Sequence, residues 1–178
     1  MFKKDKKAMG VQQVFAFIVA AITFSMIMMF GYGAINDFLE KGEQVEFFQF
    51  KTSLESSIKK IYSEYGAERQ IDYNLPAKYS QICFVDLDKE YNSELCEKDI
   101  IACDVWEDAQ DSNLPPKKRG WEAVGENVFL KPSSLVELKV YKININEGYL
   151  CLPINNGKFS LHLKGLGSKT KLSEATYN

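Results

Sequence analysis

From Ala8 to Asn36 the chain carries no charged residue and is mostly apolar, and the run is introduced by Lys3, Lys4, Lys6 and Lys7. As a helix these 29 residues rise roughly 40 Å, more than the ~30 Å hydrocarbon core of a bilayer. The pattern therefore predicts a membrane-spanning helix over 11–36, preceded by a basic leader over 1–10. Gly31 and Gly33, beside Phe30 and Tyr32 near the expected outer boundary, predict a bend or an unwound turn there. From Glu43 to Tyr65 the pattern changes. Val45, Phe47, Phe50, Leu54, Ile58, Ile61, Tyr62 and Tyr65 recur at three- and four-residue steps, with Glu43, Glu46, Lys51, Glu55, Lys59 and Lys60 largely between them. That spacing predicts an amphipathic helix within 37–66, its apolar face packed on a sheet and its end marked by Gly66.

Beyond Gly66 the apolar period shortens to two. Strands are expected at 71–74, 81–87, 127–130, 135–145, 149–154 and 158–163. Asn155-Asn156-Gly157 has the residues of a tight hairpin turn, and Asn146-Glu147-Gly148 closes the preceding one, so the last three strands are expected as consecutive antiparallel hairpins. Between Asp86 and Glu126 lies an acidic stretch with two cysteines, both tryptophans and the pair Pro115-Pro116, read as an irregular insertion at 86–126. The tail after Gly165 is small and polar and is expected to fray. The fold class is α+β: an N-terminal transmembrane helix continues into an amphipathic helix packed on an antiparallel sheet, with residues 67–178 forming one domain.

Charge orients this plan. Four lysines before the apolar run, against Asp37 and Glu40 after it, place the N-terminus in the cytoplasm and the domain outside by the positive-inside rule. Beyond the first ten positions the chain holds 18 basic and 23 acidic residues, a net charge of −5, which argues against nucleic acid as a partner. Lys117, Lys118 and Arg119 read as an exposed loop tip. All four cysteines fall in the outer part, where an even count favours two disulfides among three possible pairings. Cys83 and Cys151 sit in strand-like segments and Cys96 and Cys103 flank a short polar loop, which favours Cys83 with Cys151 and Cys96 with Cys103. Zinc is the competing use, but the chain has no C-x2-C pair and one histidine, His162.

Signals of chemistry are few. Asp86, Asp88, Glu90, Asn92, Glu94 and Glu97 fall on the ligand positions of a twelve-residue calcium loop, yet Tyr91 stands where the sharp turn needs glycine. Calcium is thus the one cofactor the residues suggest, against the plainer reading of a solvated acidic loop. His162 alternates with Leu161 and Leu163 and reads as a solvent-facing strand residue. No nucleophile–base pair, phosphate-binding glycine motif or H-E-x-x-H is present, and the chain is read as non-enzymatic. Phe47, Phe48, Trp106 and Trp121 are either an exposed apolar patch or, by default, core. Within the apolar run Ala16 and Ala20, and Ala21 and Ser25, have the four-residue spacing that lets helices approach closely in a membrane. They are the candidate surface for a homo-oligomer.

A lysine-rich leader, Gly10, Val11-Gln12-Gln13-Val14-Phe15, a long apolar helix, an amphipathic continuation and a disulfide-bearing sheet together resemble type IV pilin-like proteins, including archaeal members with class III signal peptides. The motif covers residues 1–36. The resemblance implies that a prepilin peptidase cuts between Gly10 and Val11 and that the freed helices pack into a surface filament. The family commonly has a glutamate at the fifth mature position, where Phe15 stands, and archaeal leaders often carry a basic residue where Met9 stands. The chain also looks like single-pass archaeal membrane proteins that keep their anchor and bind a surface partner.

Overall fold

A computed structural model of the chain describes residues 8–111, 113, 115 and 119–175. Lys3, Lys4, Lys6, Lys7, Lys117 and Lys118 lie outside the described residues. Helix α1 (Ala8–Tyr62) is a single element of 55 residues, and the chain divides into two compact units, Met1–Gln44 and Val45–Asn178. In the first unit the helical pattern continues through Gly31 and Gly33, so the unwound turn expected there is absent. Glycine lowers helix propensity by about 1 kcal/mol but removes no backbone hydrogen bond. Two such residues inside a long apolar helix are tolerated.

The second unit begins with the amphipathic part of α1. Phe47, Phe50, Leu54, Ile58 and Ile61 form its buried face, at the three- and four-residue steps that put them on one stripe. Seven strands follow: β1 (Glu68–Asn74), β2 (Gln81–Val85), β3 (Val128–Lys131), β4 (Ile143–Asn144), β5 (Tyr149–Pro153), β6 (Lys158–Gly165) and β7 (Thr170–Glu174). They make a four-stranded sheet in the order β1-β6-β7-β4 and a three-stranded sheet in the order β3-β2-β5. Every pairing is antiparallel except β4 with β7. The fold is α+β, with the helix packed on antiparallel-rich sheets.

Four expectations are corrected. The last three strands are not consecutive hairpins, because β4 joins β7, β5 joins β2, and β6 lies between β1 and β7. The tight turn itself is present: Asn156 and Gly157 have φ of 51° and 73°, and Asn155 and Lys158 exchange main-chain hydrogen bonds of 2.9 and 3.0 Å. A Cβ on Gly157 would strike the Leu75 carbonyl oxygen. After that single bridge the two strands part into different sheets, because they bury different faces. In β6 only Phe159, Leu161, Leu163 and Gly165 are buried. In β5, Leu150 and Leu152 face the helix core while Tyr149 and Cys151 face a second core.

That second core explains the next correction. The insertion is not irregular: it holds α2 (Leu95–Lys98), α3 (Ile100–Ala109) and a short 3-10 turn at Gly120–Glu122. Asp99 caps α3, its side chain accepting from the Ala102 N–H at 3.0 Å. Ala102, Cys103, Trp106 and Ala109 pack down on Cys83, Val85, Phe129 and Tyr149. The three-stranded sheet is therefore covered on both faces, which is why β2 reads as an unbroken apolar run. Gly148, with φ of 85°, closes the turn before β5 directly under the Trp106 ring, where a Cβ would collide with it.

The expected strand 135–145 is mostly irregular. Asn127, fully buried, accepts from the Val140 N–H at 2.8 Å and donates to its carbonyl at 3.2 Å. One side-chain amide thus does what a neighbouring strand would, and only Ile143–Asn144 pairs regularly. Finally, the tail does not fray over its described residues, which end at Ala175. β7 forms a hairpin with β6, Leu172 enters the core, and the buried Thr170 hydroxyl donates to the Ile58 carbonyl at 3.0 Å.

Candidate functional site

In the first unit, helix α1 presents sixteen large apolar side chains to the outside between Val14 and Leu39, among them Phe15, Phe17, Phe24, Met29 and Phe30. Its apolar window is long enough to cross a membrane and none of it is buried. The hydroxyls within it are satisfied by the helix. Thr23 donates to the Val19 and Ala20 carbonyls, each at 3.0 Å, and Ser25 donates to the Ala21 carbonyl at 2.8 Å. Such back-bonding lets a hydroxyl sit in a medium without water. Ala16, Ala20, Ala21 and Ser25 are all exposed. Gly10 and Val11 lie inside the first turns of α1, and a Cβ at Gly10 would meet nothing within 4 Å.

In the second unit the cysteines come together as two bridges. Cys83 and Cys151 face each other on β2 and β5 and are joined; Cys96 on α2 is joined to Cys103 on α3. The Tyr91 hydroxyl lies 3.2 Å from Cys96 Sγ and 3.0 Å from Cys103 Sγ, and its ring packs edge-on against Trp106. The four large aromatics do not form a patch. Phe47 and Trp106 are buried in the two separate cores, Trp121 is half-buried, and Phe48 alone is exposed. Trp121 is held by its Nε1 donating to the Val140 carbonyl at 2.8 Å and by the Lys139 ammonium 3.9 Å above its ring.

The six residues of the calcium-like window are not gathered around one point. Among the described residues no three His, Cys, Asp or Glu side chains are placed to hold a metal ion. Asp86 is instead buried at the end of β2, and Asp88, Glu90, Asn92, Glu94 and Glu97 follow it through the turn into α2. A cation of the chain itself serves the first two. Lys169 Nζ lies 3.5 Å from Asp86 Oδ1 and 3.1 Å from Asp88 Oδ2. Glu94 lies beside the Tyr149 hydroxyl.

Burial holds the Asp86 carboxyl above its ordinary range, although the Lys169 charge and the Ile145 N–H oppose it. Burial also pushes Asp88 up, but the Trp121 N–H, Lys169 and Lys142 outweigh it and leave Asp88 below that range. Because the folded state holds the Asp86 proton more tightly than the unfolded state, ionised Asp86 costs stability above its folded pKa. That cost is relieved as pH falls through it. Asp88 has the opposite sign, adding stability above the ordinary carboxylate pKa that is lost as pH falls through its lowered value. Lys169→Met leaves the buried carboxylate without its cation. We expect a loss of about 2 kcal/mol near neutral pH, below the ~3–5 kcal/mol of a fully buried pair because Lys169 is partly in water. Urea titrations of both proteins should show the gap narrowing on acidification as Asp86 takes up its proton; a gap that does not change with pH would assign the loss to packing of the lysine stem.

His162 faces the polar side of the four-stranded sheet, as its alternation suggested. Its Nδ1 lies 3.3 Å from Ser173 Oγ and its Nε2 lies 3.8 Å from Glu68 Oε2. Glu68 is engaged by Lys164 at 2.5 Å, whose hydrogen bond and charge hold the carboxyl below its usual range. The order serine, histidine, carboxylate is thus a row of cross-strand neighbours on an open face. Chain comparison with family models, with curated proteins and with solved structures finds no match.

Proposed function

We propose that residues 11–36 span a membrane, that the domain lies outside the cytoplasm, and that the chain is a pilin-like subunit assembling through its apolar helix into a surface filament or pseudopilus. The observation that carries this reading is the first unit. An uncharged helical stretch with fourteen exposed large apolar side chains between Val14 and Ile35 and self-satisfied hydroxyls has no stable place in water, since each such side chain gains roughly 1.5–3 kcal/mol on burial. Lipid covers them in the membrane, and neighbouring copies would cover them in a filament. Two disulfides in the domain suit an oxidising compartment, which agrees with the orientation set by the lysines.

A second reading is favoured by Phe15, which stands where the family commonly carries a glutamate. In that reading the anchor is retained and the domain recruits a partner at the surface. Both readings share one topology, and it is tested directly. A membrane-impermeant amine reagent added to intact cells should label the exposed Lys98 and Lys158. Labelling of those lysines only after permeabilisation would overturn both. Filaments visible by electron microscopy, and lost when the gene is deleted, separate the first reading from the second.

A further inference from the structure

Where β5 and β6 part after their tight turn, they leave a solvent-open cleft of about 570 Å³ between the two sheets. Asp72 and Asn74 of β1, Asn155 of the turn, Lys158 of β6 and Glu174 of β7 reach it. Among the described residues no hydrogen bond or ion pair engages the side chains of Asn74, Asn155, Lys158 or Glu174. Asp72 accepts from the Ser160 hydroxyl at 2.5 Å through one oxygen, which leaves the other for a ligand. Pro153, exposed beside the buried Leu152, supplies an apolar surface on one wall. The volume lies within the roughly 300–1,000 Å³ of small-ligand sites.

We infer that this cleft binds a neutral, polyhydroxylated ligand, a short stretch of uncharged glycan. Two carboxylates against one ammonium give the lining a net negative charge, which disfavours an anion. No three ligating side chains converge for a metal ion among the described residues. The Asp72 and Glu174 carboxylates and the Asn74 and Asn155 amides offer acceptors and donors to neighbouring hydroxyls, while the Pro153 ring accepts the C–H face of a sugar. An extended peptide is the other ligand that a sheet edge can take, by adding a strand. Ile154 donates to the Ser80 carbonyl and Asp86 to the Gly148 carbonyl, so Leu150 and Leu152 turn their main-chain groups toward β2, and the open edge of β5 at the cleft ends on Pro153. Proline has no N–H to give a ladder.

The inference rests on the extracytoplasmic placement above only for the source of the glycan. Binding is measured on purified protein, so the two can fail separately. Full-length protein in a phosphocholine detergent, which carries no sugar, is titrated with cellotriose, mannotriose and triacetylchitotriose by saturation-transfer NMR. Trigalacturonate and a short neutral Thr-Val peptide are run beside them. At least one neutral trisaccharide should bind saturably. Asp72→Ala should weaken it about tenfold, as expected for a lost charged hydrogen bond, and Glu174→Gln, a near-isosteric change at an exposed strand end, should weaken it several-fold with the fold intact. No saturable binding of any trisaccharide, equal or tighter binding of trigalacturonate or the peptide, or affinity unchanged in both variants would overturn the assignment.

Discussion

Replacing Cys83 and Cys151 together by alanine is expected to lower the unfolding free energy of the domain by about 4 kcal/mol, whereas replacing Cys96 and Cys103 should lower it by about 2 kcal/mol. The difference comes from the chain each bridge closes: the first spans a sequence separation of 68, the second a separation of 7. A longer closed loop removes more conformational freedom from the unfolded chain. The first bridge also ties β2 to β5 in the sheet shared by both cores, so its loss is felt by the helix face and the insertion alike. The second ties only α2 to α3. Denaturant unfolding of the full-length protein, followed by tryptophan fluorescence, reads both effects, because Trp106 is fully buried and moves into water on unfolding. Equal losses for the two pairs would show that strain or unfolded-state structure, not loop closure, sets the contribution.

The two apolar features of α1 were legible because each has a single period over a long stretch. No charge interrupts Ala8 to Asn36, and the stripe from Phe47 to Ile61 repeats at helical steps. The cysteine pairs that the structure joins are the ones their flanking residues favoured. What escaped was the partner of each strand. Turn chemistry at Asn155-Asn156-Gly157 specifies a reversal of direction, a local property, but not which sheet each arm enters. A usable signal existed: Tyr149-Leu150-Cys151-Leu152 is apolar on both faces, while Phe159 to Lys164 alternates strictly, so the first needed two covered faces and the second one. The same reasoning would have found α3, whose Ala102, Cys103, Trp106 and Ala109 follow a capping Asp99. Its exposed acids made it read as part of an irregular insertion. β7 was hidden for a different reason. Its hold on the domain comes from Thr170 reaching Ile58 and Lys169 reaching Asp86 and Asp88, contacts between residues far apart in the chain.

Of the candidate site residues, those of the calcium-like window are spaced as ligands along the chain, yet no three ligating side chains converge among the described residues. Asp86 and Asp88 are two apart on a segment leaving a strand, so they lie near one another, but the chain then turns into α2 and carries Glu94 and Glu97 elsewhere. A calcium loop would need a turn at the Tyr91 position that brings the later ligands back. Lys169 fills the charge need of the first two carboxylates in its place, and the acidic pair becomes part of the clamp that holds β7.

Gly10→Leu is expected to abolish processing and leave the full-length chain in the membrane, if the pilin-like reading holds. Cleavage after Gly10 would start the mature chain at Val11 and remove Lys3, Lys4, Lys6 and Lys7. Those charges suit the cytoplasmic surface of an anchored helix, but packing the helices side by side would bring them into an apolar core, where one lysine costs roughly 2.5–3.5 kcal/mol at the bilayer centre. Filament assembly would therefore require the cut. A peptidase that reads a small residue at the cleavage site would be blocked by the leucine side chain, whereas the helix tolerates it, since a Cβ at Gly10 meets nothing within 4 Å and leucine is a better helix former than glycine. Intact-mass measurement of both proteins from native membranes gives the answer: wild type shorter by the ten leader residues and the variant uncut, with filaments lost in the variant. A wild-type protein that keeps Met1 through Gly10 in cells without filaments would instead assign the helix to a retained anchor, for which the four lysines serve as the cytoplasmic stop.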